Sequence, residues 1–76
     1  MTDYAETFRE RLKSLRLRRE LTQQQLGELV GTGKQVVNNW EAGRNLPPLN
    51  VASHLADALE VSLDYLVGRS DDPTMR

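Results

Sequence analysis

Residues 21–43, LTQQQLGELVGTGKQVVNNWEAG, carry the punctuation of two short helices divided by a sharp turn, and the rest of the chain reads as their support. Thr22 has the short hydroxyl side chain that suits an N-cap, and Gln25, three residues on, can reach back to complete a capping box. Leu21 and Leu26 then occupy the N′ and N4 positions of a hydrophobic staple. The spacing predicts a helix from Gln23 to about Val30. Gly31, Thr32 and Gly33 follow, two residues free to take positive φ with a small polar one between them, and this breaks the helix.

A second helix is predicted from about Lys34. With Lys34 set at 0° and a turn of about 100° per residue, Val37 and Trp40 fall at roughly 300° and 240°, so the buried arc centres at roughly 270°. The opposite side carries Gln35, Asn38 and Asn39, at roughly 100°, 40° and 140°, with Lys34 and Val36 on its margins. A row of amides flanked by one cation and one methyl-bearing residue matches the base edges of the major groove of duplex DNA. Gln or Asn can pair with adenine there, and Val can touch a thymine methyl. Taken alone, exposed Gln and Asn describe any solvated helix face; turn, length and order together favour base reading. Trp40 could stack on a base, but its angle places it with Val37 in the core.

Seventy-six residues with 38% hydrophobic content and a single Trp make one small domain, for which several short helices are the economical solution. The absence of cysteine excludes disulfides and thiolate metal sites and is compatible with a reducing cytoplasm. A basic-then-apolar leader is missing, and no apolar run approaches membrane-spanning length, so a soluble cytoplasmic protein away from membranes is expected. The net charge of −1 gives no general attraction to phosphate. The distribution is uneven: eight Lys and Arg oppose six Asp and Glu through Arg44, and two oppose five from Asn45 onward. The acidity lies downstream of the reading element.

From the start of the chain, Asp3 to about Glu20 is expected as the first helix, capped by Thr2 or Asp3, with Phe8, Leu12 and Leu15 along one side. Arg9, Arg11, Lys13, Arg16, Arg18 and Arg19 crowd it, either as a solvated face partnered by Glu6, Glu10 and Glu20 or as phosphate contacts. Leu17 projects away from the apolar side, as an ordinary exposed leucine or part of a contact surface. After Gly43, RNLPPLN is a loop that carries Arg44 and Asn45 past the reading helix. Leu49, Ala52, Leu55, Ala56 and Leu59 have the spacing of a fourth helix, with their apolar face toward the core. His54 beside them has no second His or Cys to make a metal site, so neither metal nor cofactor is expected. Ser62 caps a last helix with Leu63, Leu66 and Val67, ended by Gly68. RSDDPTMR beyond it is polar and expected to fray.

This order of residues resembles the phage repressor and Cro (XRE-like) type of helix-turn-helix family over roughly Arg11 to Gly68. The matches are L-T-Q at Leu21 to Gln23, Leu26, Gly31, Val37, W-E-x-G at Trp40 to Gly43, the Pro after the loop, L-x-x-L-A-x-A-L from about Ala52 onward with Ala52 itself in the first place, and V-S-L-D-Y-L-V-G from Val61. The resemblance implies an all-α, lambda-repressor-like domain of five helices over residues 1–68, with residues 69–76 as a flexible tail. Its third helix would lie in the major groove. Lys34, Gln35 and Asn39 would face base edges, with Asn38 a lesser candidate. Gln23 would contact phosphate and brace the reader, and Arg44 and Asn45 would touch the backbone. Arg16 and Glu41 stand where an ion pair often ties the first helix to the third. Three departures stand out: Gly27 replaces a usual Ala, at about 1 kcal/mol in helix propensity; Gly33 and Thr32 replace a Ser cap and an aliphatic; and Pro48 replaces a capping Ser.

The function implied is a sequence-specific, double-stranded DNA-binding transcriptional regulator, a repressor. It would bind a twofold-symmetric operator as a weak homodimer through the last helix and Tyr65. The alternative is an antitoxin-like protein-binding module, with or without DNA binding, suggested by the low charge and by Leu17, Leu29 and Tyr65. An enzyme is disfavoured, since one His and no Cys leave little for a catalytic constellation, and Asp71 and Asp72 sit in the tail.

Overall fold

The computed structural model describes residues 3–75, and these contain five helices and no strand. They are α1 (Tyr4–Arg18), α2 (Gln23–Val30), α3 (Lys34–Glu41), α4 (Leu49–Ala58) and α5 (Leu63–Val67). The all-α, five-helix expectation is met, because each predicted apolar face finds another to bury against. α1 packs on α3 and α5, α2 on α3 and α4, and α4 on α5. Phe8, Leu12, Leu15, Leu26, Val37, Trp40, Leu55, Leu59 and Leu66 meet in one core.

α1 starts where the Asp3 carboxylate accepts the Glu6 N–H at 3.0 Å. Thr2, the other expected cap, lies outside the described residues. The helix stops at Arg18 rather than about Glu20, because Glu20 turns left-handed at φ 56°. The Leu21 N–H then reaches the Arg16 carbonyl at 3.1 Å and the Glu20 N–H reaches that of Leu17 at 3.0 Å, which makes a Schellman closure. α4 closes in the same way. Glu60 has φ 57°, the Val61 N–H meets the Ala56 carbonyl at 3.0 Å, and the Glu60 N–H meets that of Asp57 at 3.1 Å. In both turns glutamate occupies a backbone region that glycine enters at no steric cost.

α2 has the capping box in full, with the Thr22 hydroxyl accepting the Gln25 N–H at 3.0 Å and the Gln25 side-chain Oε1 accepting the Thr22 N–H at 2.8 Å. Gly31 ends it at φ 79°. Gly33 makes no use of positive φ; it sits at −99° as the N-cap of α3, with no side chain to bond the helix.

Gly27 is a requirement of the turn. A Cβ built on it would lie 2.8 Å from the Thr32 carbonyl oxygen and 3.2 Å from the backbone of Gly33. The turn folds down onto α2 where a side chain would otherwise stand, so the alanine favoured by propensity does not fit without moving backbone. Gly27→Ala should therefore lower the melting temperature, although its helix propensity alone offers about 1 kcal/mol of gain. A rise in a thermal melt followed by circular dichroism would show that the turn yields freely.

α4 begins directly after Pro48, which serves as its N-cap without a side-chain bond. Ala52, Leu55, Ala56 and Leu59 are buried as expected, but Leu49 is 74% exposed, a correction to the predicted apolar set. Leu49 is the first helical residue and lies roughly 70° from the centre of the buried arc, so it overhangs the core edge. Val51, at the other edge of that arc, packs against the core half-buried. In α5 the Ser62 hydroxyl accepts the Tyr65 N–H at 3.0 Å, Leu66 is fully buried, and Gly68 closes the helix at φ 90°.

The residues after Gly68 turn back on the domain. The Arg11 guanidinium lies over the Tyr65 ring, 4.1 Å from its centroid, and donates to the carbonyls of Tyr65 and Ser70 and to the Asp71 carboxylate. The Ser62 N–H donates to the Pro73 carbonyl at 3.0 Å.

Candidate nucleic-acid interface

The site is assembled outward from a buried ion pair. Arg16 on α1 donates through Nε to Glu41 Oε2 at 2.7 Å and through Nη2 to Oε1 at 3.0 Å, and its Nη1 donates to the Leu21 carbonyl at 2.7 Å. Their side chains are only 10% and 4% exposed. One guanidinium thus holds both the chain entering α2 and the last residue of α3. A bidentate pair with its spare donor also satisfied is the geometry in which a buried charge pair can persist.

Hydrogen bonds lead from this pair to the surface. Glu41 Oε1 also accepts from Gln23 Nε2 at 3.2 Å, and Gln23 Oε1 faces Asn38 Nδ2 at 3.5 Å, the outer limit of such a bond. Asn38 Oδ1 accepts from Arg44 Nη1 at 3.1 Å; the same nitrogen donates to Asn39 Oδ1 at 3.2 Å, which also accepts from Gln35 Nε2 at 3.1 Å. Gln23, Gln35, Asn38, Asn39 and Arg44 are therefore brought together. Lys34 stands exposed at the first position of α3 and Asn45 in the loop beyond it, flanking the line without joining it. Trp40 and Val37 are buried on the opposite side of α3, and Val36 is exposed at the margin.

The cations of α1 are mostly committed elsewhere. Arg11 holds the C-terminal segment, Arg16 is buried, Arg19 pairs with Glu60 and donates to the Leu59 carbonyl, and Arg9 pairs with Glu6 beside Gly43. Positive charge at the amide face comes from Lys34 and Arg44. Reading the sequence missed the line itself, because Gln23 and Asn38 are fifteen residues apart and no local period connects them. The only signal was the repeated pairing of amides with opposite charges at its ends. Among the described residues, no group of three or more His, Cys, Asp or Glu could hold a metal ion.

A small all-α domain whose second and third helices meet across a glycine turn, with amides outward on the third, is the architecture of a helix-turn-helix protein. The chain belongs to the helix-turn-helix family, whose model matches residues 12–66. It is 41% identical over 64 residues to the uncharacterized HTH-type transcriptional regulator YobD of Bacillus subtilis, a match covering 84% of this chain and 57% of that protein. It is 36% identical over 62 residues to the cryptic phage CTXphi transcriptional repressor RstR of Vibrio cholerae, covering 82% and 55%. With the HTH-type transcriptional activator BcrR of Enterococcus faecalis it shares 30% over 60 residues, covering 79% and 29%. The chain spans little more than half the length of the first two.

Proposed function

We propose that this chain is a sequence-specific, double-stranded DNA-binding transcriptional regulator that represses by occupying a twofold-symmetric operator in the cytoplasm, without enzymatic activity. The observation that carries this reading is the outward row of Gln35, Asn39 and Lys34 on a helix whose other side is locked into the core by Val37 and Trp40. The N-terminal N–H groups of α2, beside Gln23, suit a phosphate. The similarity to a named phage repressor, at 36% identity against 30% for the named activator, supports repression. One short reading helix covers few base pairs, so two copies, joined weakly through α5 and strengthened on DNA, supply the affinity. No helix among the described residues is long and apolar enough to cross a membrane, which agrees with a protein that meets DNA.

The experiment is selection of duplexes from a random pool, followed by binding of variants to singly substituted sites at two salt concentrations. Gln35→Ala should cost about 1–3 kcal/mol on the preferred site and relax one position per half-site. Gln23→Ala should weaken all sequences by similar factors, since phosphate carries no base identity. Lys34→Ala lowers the salt dependence if Lys34 touches phosphate, and changes preference if it reads guanine. Sedimentation on the selected site should show two chains per duplex; one chain on an asymmetric site defeats the dimer.

The second reading is an antitoxin-like module that engages a partner protein. Its support is the exposure of Leu17 (55%) and Leu29 (59%) together with the net charge of −1. Tyr65 contributes less, being half-buried beneath Arg11. If Gln35→Ala left DNA affinity and preference intact while disrupting a protein complex, this reading would replace the first.

A further inference from the structure

The hydrogen-bonded line at the interface has a direction, and the direction has consequences for which bases it accepts. A side-chain amide can usually be turned end for end, because its oxygen and nitrogen are alike in shape and opposite only in hydrogen bonding. Here both ends of the line are chemically one-sided. Glu41 is a carboxylate and only accepts, so Gln23 turns its nitrogen inward at 3.2 Å and its oxygen toward Asn38. Arg44 is a guanidinium and only donates, so Asn38 and Asn39 turn their oxygens toward it, at 3.1 and 3.2 Å. Asn38 then presents its nitrogen to Gln23. The two ends demand the same orientation of every amide between them, and no donor faces a donor.

The effect is greatest at Asn39. Its Oδ1 takes two donors, Arg44 Nη1 and Gln35 Nε2, which fills both lone pairs of that oxygen. Its NH₂ group donates in none of the hydrogen bonds among the described residues and is left for a base. An amide with both ends available matches adenine, which offers an acceptor and a donor side by side. An amide that can only donate finds its acceptor in the keto oxygen of guanine or thymine; adenine offers it only N7, beside an amino group that competes as a donor, and cytosine offers only a donor. Gln35 differs, since it spends one hydrogen on Asn39 and keeps its oxygen and second hydrogen for a base.

We infer that Arg44 is a positioning residue for specificity: by saturating the Asn39 carbonyl it makes Asn39 a donor-only reader that selects a keto base. The inference rests on the proposal that α3 reads DNA and adds a particular base class to it. Arg44 is exposed and outside the core, so its replacement leaves the fold intact. Its remaining guanidinium hydrogens are free to meet a phosphate in the complex, and such a contact predicts a different outcome.

Two measurements on the whole chain test the inference. In the free protein, the side-chain NH₂ resonances of Asn38 and Asn39 should shift in Arg44→Ala while the backbone amides of the core stay in place. Unmoved NH₂ resonances would overturn the geometry without reference to DNA. On duplexes obtained by selection, Asn39→Ala identifies the position that Asn39 reads. There the wild-type chain should favour guanine or thymine over adenine and cytosine by about ten-fold, and Arg44→Ala should reduce this to about two-fold and admit adenine. The preference at the Gln35 position should survive. The inference fails if the wild-type chain selects adenine at the Asn39 position. It also fails if Arg44→Ala weakens every site by one factor and flattens the salt dependence with preferences intact, which describes a phosphate contact only. An effect of Gln35→Ala with none at Asn39 rejects the inference and leaves DNA reading standing. If neither variant alters preference, both fall.

Discussion

Replacing Trp40 by alanine should cost about 3–5 kcal/mol, the usual loss when a large aromatic side chain is cut from a packed core. Trp40 is 4% exposed and joins Phe8, Leu12 and Val37 in the core cluster to which all five helices contribute. A domain of this size has roughly 5–15 kcal/mol of stability in total, so the variant should lose much of its cooperative melting or melt lower by at least roughly 12 °C. Far-ultraviolet circular dichroism is the suitable signal, because the chain's single Trp is removed by the substitution. Trp40→Phe, which keeps an aromatic ring in the site, should lose distinctly less. The functional consequence follows from geometry. Trp40 and the amides of Gln35 and Asn39 project from opposite sides of one eight-residue helix, so the core contact sets the angle at which the amides face outward. An unchanged melting temperature would mean that the helix can rotate, and the assignment of Gln35 and Asn39 as readers would rotate with it.

The sequence was most legible where a local rule determines structure. Thr22 and Gln25 form the capping box that their spacing predicts, and α2 and α3 start at Gln23 and Lys34, because caps and glycine turns act within a few residues. The Arg16–Glu41 pair, expected only from resemblance, forms with both side chains buried. Legibility falls where the outcome depends on distant packing. α1 ends two residues before the boundary its pattern predicts, because Glu20 adopts a left-handed backbone that its residue type does not announce. Leu49 has the right period for the core but lies at a helix end with nothing above it, and periodicity does not show where the core stops. Gly27 looked like a mild cost in propensity, and the Thr32 carbonyl lying where its Cβ would be appears only once the turn is folded. At the candidate interface, the sequence points to Gln23, Asn38 and Arg44 only through what each would touch on DNA. Their contacts with one another, across fifteen and six residues, were not visible in any single helix pattern.

Glu41→Ala should cost about 3–5 kcal/mol, because it leaves the Arg16 guanidinium buried with only the Leu21 carbonyl to receive it. Arg16→Ala should be comparably damaging, since the Glu41 carboxylate would keep only the 3.2 Å bond from Gln23. The pair itself contributes less than either number suggests, as taking two charges out of water offsets most of their attraction. The double variant Arg16→Met with Glu41→Leu fills similar volume without buried charge and should be more stable than either single variant. The coupling between the two sites is the amount by which the loss in the double variant falls short of the summed losses of Arg16→Met and Glu41→Leu made singly. Because the pair is buried, its coupling should change little on adding salt, unlike that of an exposed pair. DNA binding should not recover in the double variant, because Gln23 loses the carboxylate that orients its amide, and Asn38 loses its partner in turn. Denaturant melts of the wild type, Arg16→Met, Glu41→Leu and their double variant at low and high salt, with binding measured where each is fully folded, separate the two effects. Single losses of less than about 1 kcal/mol that add in the double variant would assign the pair the behaviour of a surface salt bridge. Restored stability with restored binding would show that Gln23 is held by something other than Glu41.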